Sequence, residues 1–375
     1  MLYFLEITVK ETFMQHLKII ALDGYADRAD DLQKHIQDLN KKKEKYLVDT
    51  SIVRFSNGEG KIRINDSVRA ADLMIIADVG NYSCAYTMYG TINHKSPDDH
   101  FADIKRAIGA ASSKPSRTTV IMPLLYQSRQ DKRAGRESLD CALALRELAN
   151  MGVDNIITFD AHNPSVQNAI PTKSFESINP IYPMLREFIA RARQHINKET
   201  MIVVSPDMGA VPRAVDFASM LGLDVGMFYK RRDYSRIVDG KNPVIEKAYA
   251  GPSLEGKICV ITDDMIASGD SVIEVAAELK ARGAIDVTVI VTFGLFNAGM
   301  ERFDKAHADG IINDVYCTNL SFVPKTAENS KWLHVVDLTK FLALIINALN
   351  KDESLSSYFD SKERIKALLK ESTLA

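Results

Sequence analysis

Short apolar runs alternate with longer amphipathic stretches along this chain. The runs are LKIIAL (17–22), DLMIIA (72–77), TTVIMP (118–123), NIITFD (155–160), MIVVSP (201–206), KICVIT (257–262), VTVIVT (287–292) and GIINDVYC (310–317). Several are nearly continuous, which suits parallel strands covered on both faces. The stretches near 27–45, 100–112, 137–151, 180–195, 209–221, 271–283 and 337–349 carry apolar residues at helical spacing, so helix is predicted there. The alternation predicts an α/β architecture with parallel sheets. Two segments read as hairpins: 51–66, where Asn57-Gly58 sits between alternating apolar residues, and 225–250, which has a polar excursion in its middle. The charged tail 351–375 has a helical pattern in KERIKALLK.

An internal echo is present. LKIIALDGYADRADDLQKHI follows the outline of MIVVSPDMGAVPRAVDFASM, DLMIIADVG that of KICVITDDM, and TTVIMPLLY that of VTVIVTFGL. Duplication of one α/β domain explains this, with a boundary near 165–180; so does the general likeness of α/β units. The length of 375 residues allows two or three domains at about 150 residues each.

Composition narrows the function classes. Lys+Arg is 47 against Asp+Glu 49, a net charge of −2, so no global basic field favours nucleic acid or anionic lipid, and any anion site must be local. Cys84, Cys141, Cys259 and Cys317 form no CxxC pair, which argues against a zinc ribbon or redox motif and for buried reduced thiols. No apolar run approaches the ~20 residues that span a bilayer. The N-terminal stretch carries Glu6, Lys10 and Glu11 and does not read as a signal peptide, so a soluble cytoplasmic protein is expected.

The sharpest chemical signal is CVITDDMIASGDSVIEVAAELKARGA (259–284). A buried strand ends in adjacent acids, Asp263 and Asp264; a small-residue turn, Ala267-Ser268-Gly269-Asp270-Ser271, then leads into a helix. A helix N-terminus offers unpaired N–H groups and a positive dipole end. Small residues let a phosphate approach the backbone, and carboxylates at the strand end can accept from vicinal sugar hydroxyls or hold Mg²⁺. An ordinary βα turn capped by Asp or Ser would look much the same.

This segment resembles the phosphoribosyl pyrophosphate loop of type I phosphoribosyltransferases and of phosphoribosyl pyrophosphate synthetases. RFSNGEGKIRINDSVRAADLMII (54–76), SRQDKR (128–133), MGVDNIITFDAHNPSVQNAI (151–170) and VVSPDMGAVPRAVDFASMLGLDVGMFYKRRD (203–233) resemble further synthetase signatures, in order, between about 17 and 350. The chain is thus similar to the ribose-phosphate pyrophosphokinases. The resemblance implies two tandem type I phosphoribosyltransferase-like domains, each a mainly parallel sheet flanked by helices. An ATP-side domain would span 16–172, joined by the helix at 338–350; a ribose-phosphate domain would span 173–337; the tail 351–375 would be helical.

The activity implied is pyrophosphoryl transfer from ATP to the C1 hydroxyl of ribose 5-phosphate, in nucleotide biosynthesis. Lys230 and Arg232 map onto the family's catalytic flexible loop. Phe55, Asn57, Glu59, Arg129, Gln130 and Asp131 would bind ATP. Asp263, Asp264, Ala267, Ser268, Gly269, Asp270 and Ser271 would bind ribose 5-phosphate, and His162 and Asp207 would hold Mg²⁺. In the family the Phe55 hairpin reaches a neighbouring subunit's site, which implies a homo-oligomer built from dimers, with a hexamer among its forms. Neither nucleic acid nor membrane is an expected partner.

The residues support these roles to different degrees. A Phe can stack on adenine while Asn and Glu read its edge, yet from the residues alone a hairpin turn with its Phe in a core is the commoner reading of 54–60. Three basic residues at 230–232 suit a phosphoryl-transfer transition state, yet such runs are commonly solvated. GPSLEGKI (251–258) fails as a P-loop, because Ile258 lacks the hydroxyl and a strand follows; no GxGxxG follows a strand. The family usually has Asp where Ala267 stands and Gly where Asp270 stands, which places an acid beside a dianionic phosphate. Segments 134–140 and 233–249 also diverge. A non-catalytic regulatory homologue and a type I phosphoribosyltransferase remain as alternatives.

Overall fold

A computed structural model of the chain describes residues 16–112, 114–192, 195–232, 244–356 and 362–371. The expected α/β architecture is present as two sheets. The first joins β1 (Leu17–Ala21), β4 (Asp72–Ile76), β7 (Arg117–Ile121), β8 (Asn155–Phe159) and β9 (Ser174–Ile178) in that order, all parallel. The second has seven strands: β10 (Met201–Ser205), β11 (Asp224–Arg232), β12 (Val244–Ala250), β13 (Ile258–Ile266), β14 (Asp286–Gly294), β15 (Asp314–Thr318) and β16 (Leu333–Val336). Its order is β12-β11-β10-β13-β14-β15-β16, and only β12 runs antiparallel to its neighbour. The strands with continuous apolar runs, β4 and β10, are buried at every position, as burial of both faces requires.

Two hairpins stand off the first sheet: β2 (Thr50–Arg54) with β3 (Gly60–Ile64), and β5 (Ala85–Met88) with β6 (Thr91–His94). The first matches the predicted hairpin at 51–66. The second has no counterpart among the predicted elements, because its residues are mostly exposed and its alternation, Tyr86 and Met88 about Thr87, is only two apolar positions long. The predicted hairpin at 225–250 forms from β11 and β12, but residues 233–243 and the side chains of Lys230 and Arg232 lie outside the described residues.

Helices α1 (Ala26–Asn40), α2 (Pro97–Ala111), α3 (Asp140–Asn150), α4 (Ile181–Ala192), α5 (Val211–Leu221), α6 (Asp270–Ala281), α7 (Glu301–Ala308), α8 (Thr339–Asn350) and α9 (Lys362–Glu371) cover the sheets. Helix α1 stops short of the predicted 45, because Lys41 takes a left-handed turn (φ 53°) and its amide caps Asp38 and Gln37. At α2, Ser96 and Asp99 form a capping box and Pro97 sits in the first turn. Helix α8 returns from the end of the second sheet to the first: Leu342, Ile345 and Ile346 pack in the same core as Ile19 and Ile75. Ile365 of α9 is fully buried in the core under α4 and α5.

The two sheets are pinned together by buried polar contacts. Asp78, just past β4, accepts from Ser321 Oγ and the Phe322 amide of the second unit, each at 2.7 Å, and from Arg28 Nη2 at 3.1 Å. All four cysteines are free; Cys141, Cys259 and Cys317 are buried and Cys84 is half-buried.

Candidate functional site

The carboxyl ends of β8, β10 and β13 open into one cleft of about 590 Å³. Such a crevice beyond strand ends is where open α/β sheets bind ligands. Strand β13 continues through the acid pair to Ile266, further than the expected end at 262, so Asp263 and Asp264 project from regular backbone in register with β14. Asp264 is 2% exposed and its Oδ2 lies 2.8 Å from Nδ1 of His162, which follows β8. The two sheets therefore meet at a carboxylate–imidazole pair.

Charge is distributed unevenly across the acids. Burial and the neighbouring Asp264 push the Asp263 carboxyl up to about 7. Burial also opposes charge on Asp264, but His162 and Arg213 outweigh it and hold Asp264 below the usual carboxylate range. The same hydrogen bond raises the His162 pKa, with burial working against it. The pair thus keeps Asp264 ionised and gives Asp263 the more readily held proton.

Three residues that sequence reasoning did not nominate organise this floor. Asp160, 8% exposed, accepts from Arg213 Nη2 at 2.7 Å and from Thr292 Oγ1 at 2.6 Å. Arg213 also stands 3.9 Å from Asp263. One guanidinium from α5 therefore ties the end of β8 to the acids of β13. Asp160 lies in the 151–170 stretch that resembles a synthetase signature, two residues before His162, so its strand-end place is a usable signal; nothing local marks Arg213 or Thr292.

The other nominated residues are placed as follows. Asp207 lines the cleft, and its Oδ1 accepts the amides of Gly209 and Ala210 at 2.7 and 3.1 Å. Ala267, Ser268, Gly269 and Ser271 line the cleft, while Asp270 does not. Gly269 is required: its φ is +89°, and a Cβ there would lie 2.4 Å from the Phe303 ring. Arg129 faces both this cleft and an adjoining apolar hollow, which Gln130 also lines. Asp131 accepts from Asn163 Nδ2 at 2.6 Å. Phe55, Asn57 and Glu59 are exposed at the tip of the β2–β3 hairpin, and none lines the cleft of its own chain. There Asn57 Nδ2 donates to Glu59 Oε2 at 3.0 Å. The backbone of Lys230 and Arg232 runs in β11, with Lys230 opposite Lys247.

This chain is similar in sequence and in fold to known proteins. Residues 17–152 match the family described as the N-terminal domain of ribose phosphate pyrophosphokinase, and residues 171–323 match the phosphoribosyl transferase domain. The ribose-phosphate pyrophosphokinase of Vibrio cholerae is 29% identical over 318 residues, covering 84% of this chain and 92% of that protein. That of Mycoplasma pneumoniae is 28% identical over 311 residues, covering 81% and 86%. The crystal structure of phosphoribosylpyrophosphate synthetase from Mycobacterium smegmatis superposes with a TM-score of 0.73 at 22% identity, covering 90% of this chain and 100% of that one, so the fold is the same.

Proposed function

The chain belongs to the ribose-phosphate pyrophosphokinase family, and on that premise we propose how its cleft carries out the family's reaction. The enzyme transfers the β,γ-pyrophosphoryl group of ATP to the C1 hydroxyl of ribose 5-phosphate. The hydroxyl oxygen bonds to the β-phosphorus and loses its proton, the bond from that phosphorus to the α,β-bridging oxygen breaks, and AMP leaves. The products are 5-phosphoribosyl 1-pyrophosphate and AMP.

The observation that carries the assignment of roles is the meeting of the Asp263–Asp264 strand end with His162 at 2.8 Å over one cleft, beside a small-residue turn that opens α6. Asp263 and Asp264 hold the ribose hydroxyls. Residues 267–271 and the first turn of α6 take the 5-phosphate. Lys230 and Arg232, carried by β11 beside the cleft residues Phe228 and Tyr229, stabilise the charge that develops on the transferring phosphates. Arg129 meets the nucleotide at the junction of the cleft and the apolar hollow.

The Asp207 carboxylate suits Mg²⁺, a hard ion that prefers oxygen ligands, and the His162 imidazole would be its minority partner. Only Oδ1 of Asp207 accepts hydrogen bonds among the described residues, and His162, giving its Nδ1 proton to Asp264, keeps the Nε2 lone pair. Among the described residues no three His, Cys, Asp or Glu side chains could hold an ion unaided, so phosphate oxygens and water would complete the shell. Magnesium there would neutralise the ATP phosphates.

Phe55, Asn57 and Glu59 bind the adenine of a neighbouring subunit, which makes the active enzyme a homo-oligomer assembled from dimers. Among the described residues no helix is long and apolar enough to cross a membrane, and a cytoplasmic location is part of this proposal. The test is direct. Purified protein with ATP, Mg²⁺ and ribose 5-phosphate should release AMP in step with 5-phosphoribosyl 1-pyrophosphate, without any nucleobase. No AMP across a range of phosphate concentrations would defeat the catalytic reading and leave the regulatory one.

A further inference from the structure

The turn proposed to take the 5-phosphate contains an acid, Asp270, at the first position of α6. An ionised carboxylate there competes with a phosphate dianion for the same N–H groups and the same dipole end. The structure shows how the conflict is relieved. Asp270 Oδ2 accepts from Ser268 Oγ at 3.0 Å, while Oδ1 accepts from Arg302 Nη1. Ser268, Gly269 and Ser271 line the cleft and Asp270 does not.

Arg302 is presented from a fixed base. Its helix, α7, packs directly beneath the turn, where the Phe303 ring fills the space a Cβ on Gly269 would need. Phe303 is 1% exposed, stacks on Trp332 at 5.3 Å and meets Phe296 edge-on at 5.3 Å. Trp332 Nε1 donates to Asp304 Oδ1 at 2.8 Å, fixing the next residue of the helix. Adjacent residues of α7 therefore do two jobs for one turn: Phe303 sets its backbone and Arg302 sets its charge.

We propose that Arg302 is a positioning residue for ribose 5-phosphate: by pairing with Asp270 it turns that carboxylate off the cleft and neutralises it, so that the turn can accept a dianion. This rests on the reading that residues 267–271 hold the 5-phosphate. Arg302 touches Asp270 rather than the substrate, so its effect should vanish once Asp270 is gone.

The test compares Arg302→Ala, Asp270→Gly and the double variant in the full-length protein, with Ser271→Ala marking the turn itself. Steady-state AMP release gives KM for each substrate. Arg302→Ala should raise KM for ribose 5-phosphate roughly fivefold, the scale of one uncompensated charge at a solvent-exposed site, and leave KM for ATP within about twofold. The double variant should match Asp270→Gly alone. Equal rises in both KM values, or a double variant as impaired as Arg302→Ala, would mean that Arg302 only supports the fold and would overturn the proposal. If Ser271→Ala raises KM for ribose 5-phosphate while Arg302→Ala does not, the phosphate site stands and this role for Arg302 falls. If neither variant changes it, the phosphate lies elsewhere and both readings fall together.

Discussion

His162 Nδ1 stands 2.8 Å from Asp264 Oδ2, and this contact joins the end of β8 in one sheet to β13 in the other. It fixes the imidazole tautomer and leaves Nε2 as the free ring nitrogen. Asp264→Asn should raise the Mg²⁺ concentration for half-maximal rate by about ten- to a hundredfold, the usual cost of losing a carboxylate behind a metal-binding His. The pH dependence has a definite sign. Asp264 raises the His162 pKa, so a proton competes with the metal up to a higher pH than for a free imidazole. Removing the carboxylate should therefore move the acid limb of Mg²⁺ activation to lower pH. An unchanged limb, measured as rate against pH at fixed Mg²⁺, would show that the imidazole does not ligate the ion.

Beneath the β2–β3 hairpin, Asp103 receives Lys95 Nζ at 2.9 Å, Arg54 Nη2 at 3.1 Å and Arg106 Nη1 at 2.7 Å. Asp103 and Lys95 are almost fully buried. Burial alone would raise the Asp103 pKa, but Lys95, Arg54 and Arg106 together lower it. A carboxylate whose pKa is depressed on folding contributes stability that is present above its unfolded pKa of about 3.9 and is lost as pH falls through the folded value. Asp103→Asn should thus cost about 3–5 kcal/mol at pH 7, because it leaves buried cations unpaired. That deficit should shrink progressively below about pH 4. Urea midpoints at the two pH values give the answer, and an equal deficit at both would show that charge is not what holds Asp103. Arg54 immediately precedes Phe55, so the same network fixes where the hairpin tip points.

The parts of this fold that were legible in the sequence share a cause. Strands β4, β10, β13 and β14 are buried along most of their length, and that burial is written as short runs dominated by Ile, Val, Leu and Met. Strand β9 is only half-buried along most of its length, α7 has just 8 residues, and the β5–β6 hairpin exposes Tyr89 and Ile92, so none produces a periodic signal. The site divides in the same way. The acid pair and small-residue turn are contiguous and can be read as a motif. The clamp of Asp160 by Arg213 and Thr292 joins residues 53 and 132 positions apart, and no local pattern encodes it. Asp270 was legible as a conflict with phosphate, but its partner Arg302 sits on a helix too short to be foreseen.

Gly269 offers a sharper test of the turn than any side-chain deletion. With φ at +89° and the Phe303 ring 2.4 Å from the place of a Cβ, alanine meets both backbone strain and a buried ring held against Trp332. The turn must shift toward the cleft. Gly269→Ala should destabilise the protein by about 1–3 kcal/mol, the range for one residue held in a disfavoured backbone region. It should also raise KM for ribose 5-phosphate more than KM for ATP. Thermal unfolding with and without ribose 5-phosphate separates the two effects. If the ligand raises the variant's Tm as much as the wild type's, the turn does not hold the phosphate.

The placement of Phe55 leads to a test of assembly. Phe55 is 47% exposed on a hairpin tip, outside the cleft of its own chain. The neighbouring β5–β6 hairpin braces that tip: the Tyr89 amide donates to the Ser56 carbonyl at 2.8 Å. A braced, exposed aromatic beside Asn57 and Glu59 suits recognition of a base supplied by another subunit. If adenine stacks on Phe55 in trans, a Phe55→Ala subunit still offers an intact Lys230 cleft, and a Lys230→Ala subunit still offers an intact hairpin. Each variant alone should be poor, Lys230→Ala by about a hundredfold or more in kcat if it stabilises the transition state. Mixed under conditions that exchange subunits, the two should recover activity, because some interfaces then pair an intact hairpin with an intact cleft. Mixing Phe55→Ala with a Phe55→Ala, Lys230→Ala double variant should recover none. Recovery in neither mixture would place the nucleotide's contacts within a single chain and remove the reason for assembly to be required.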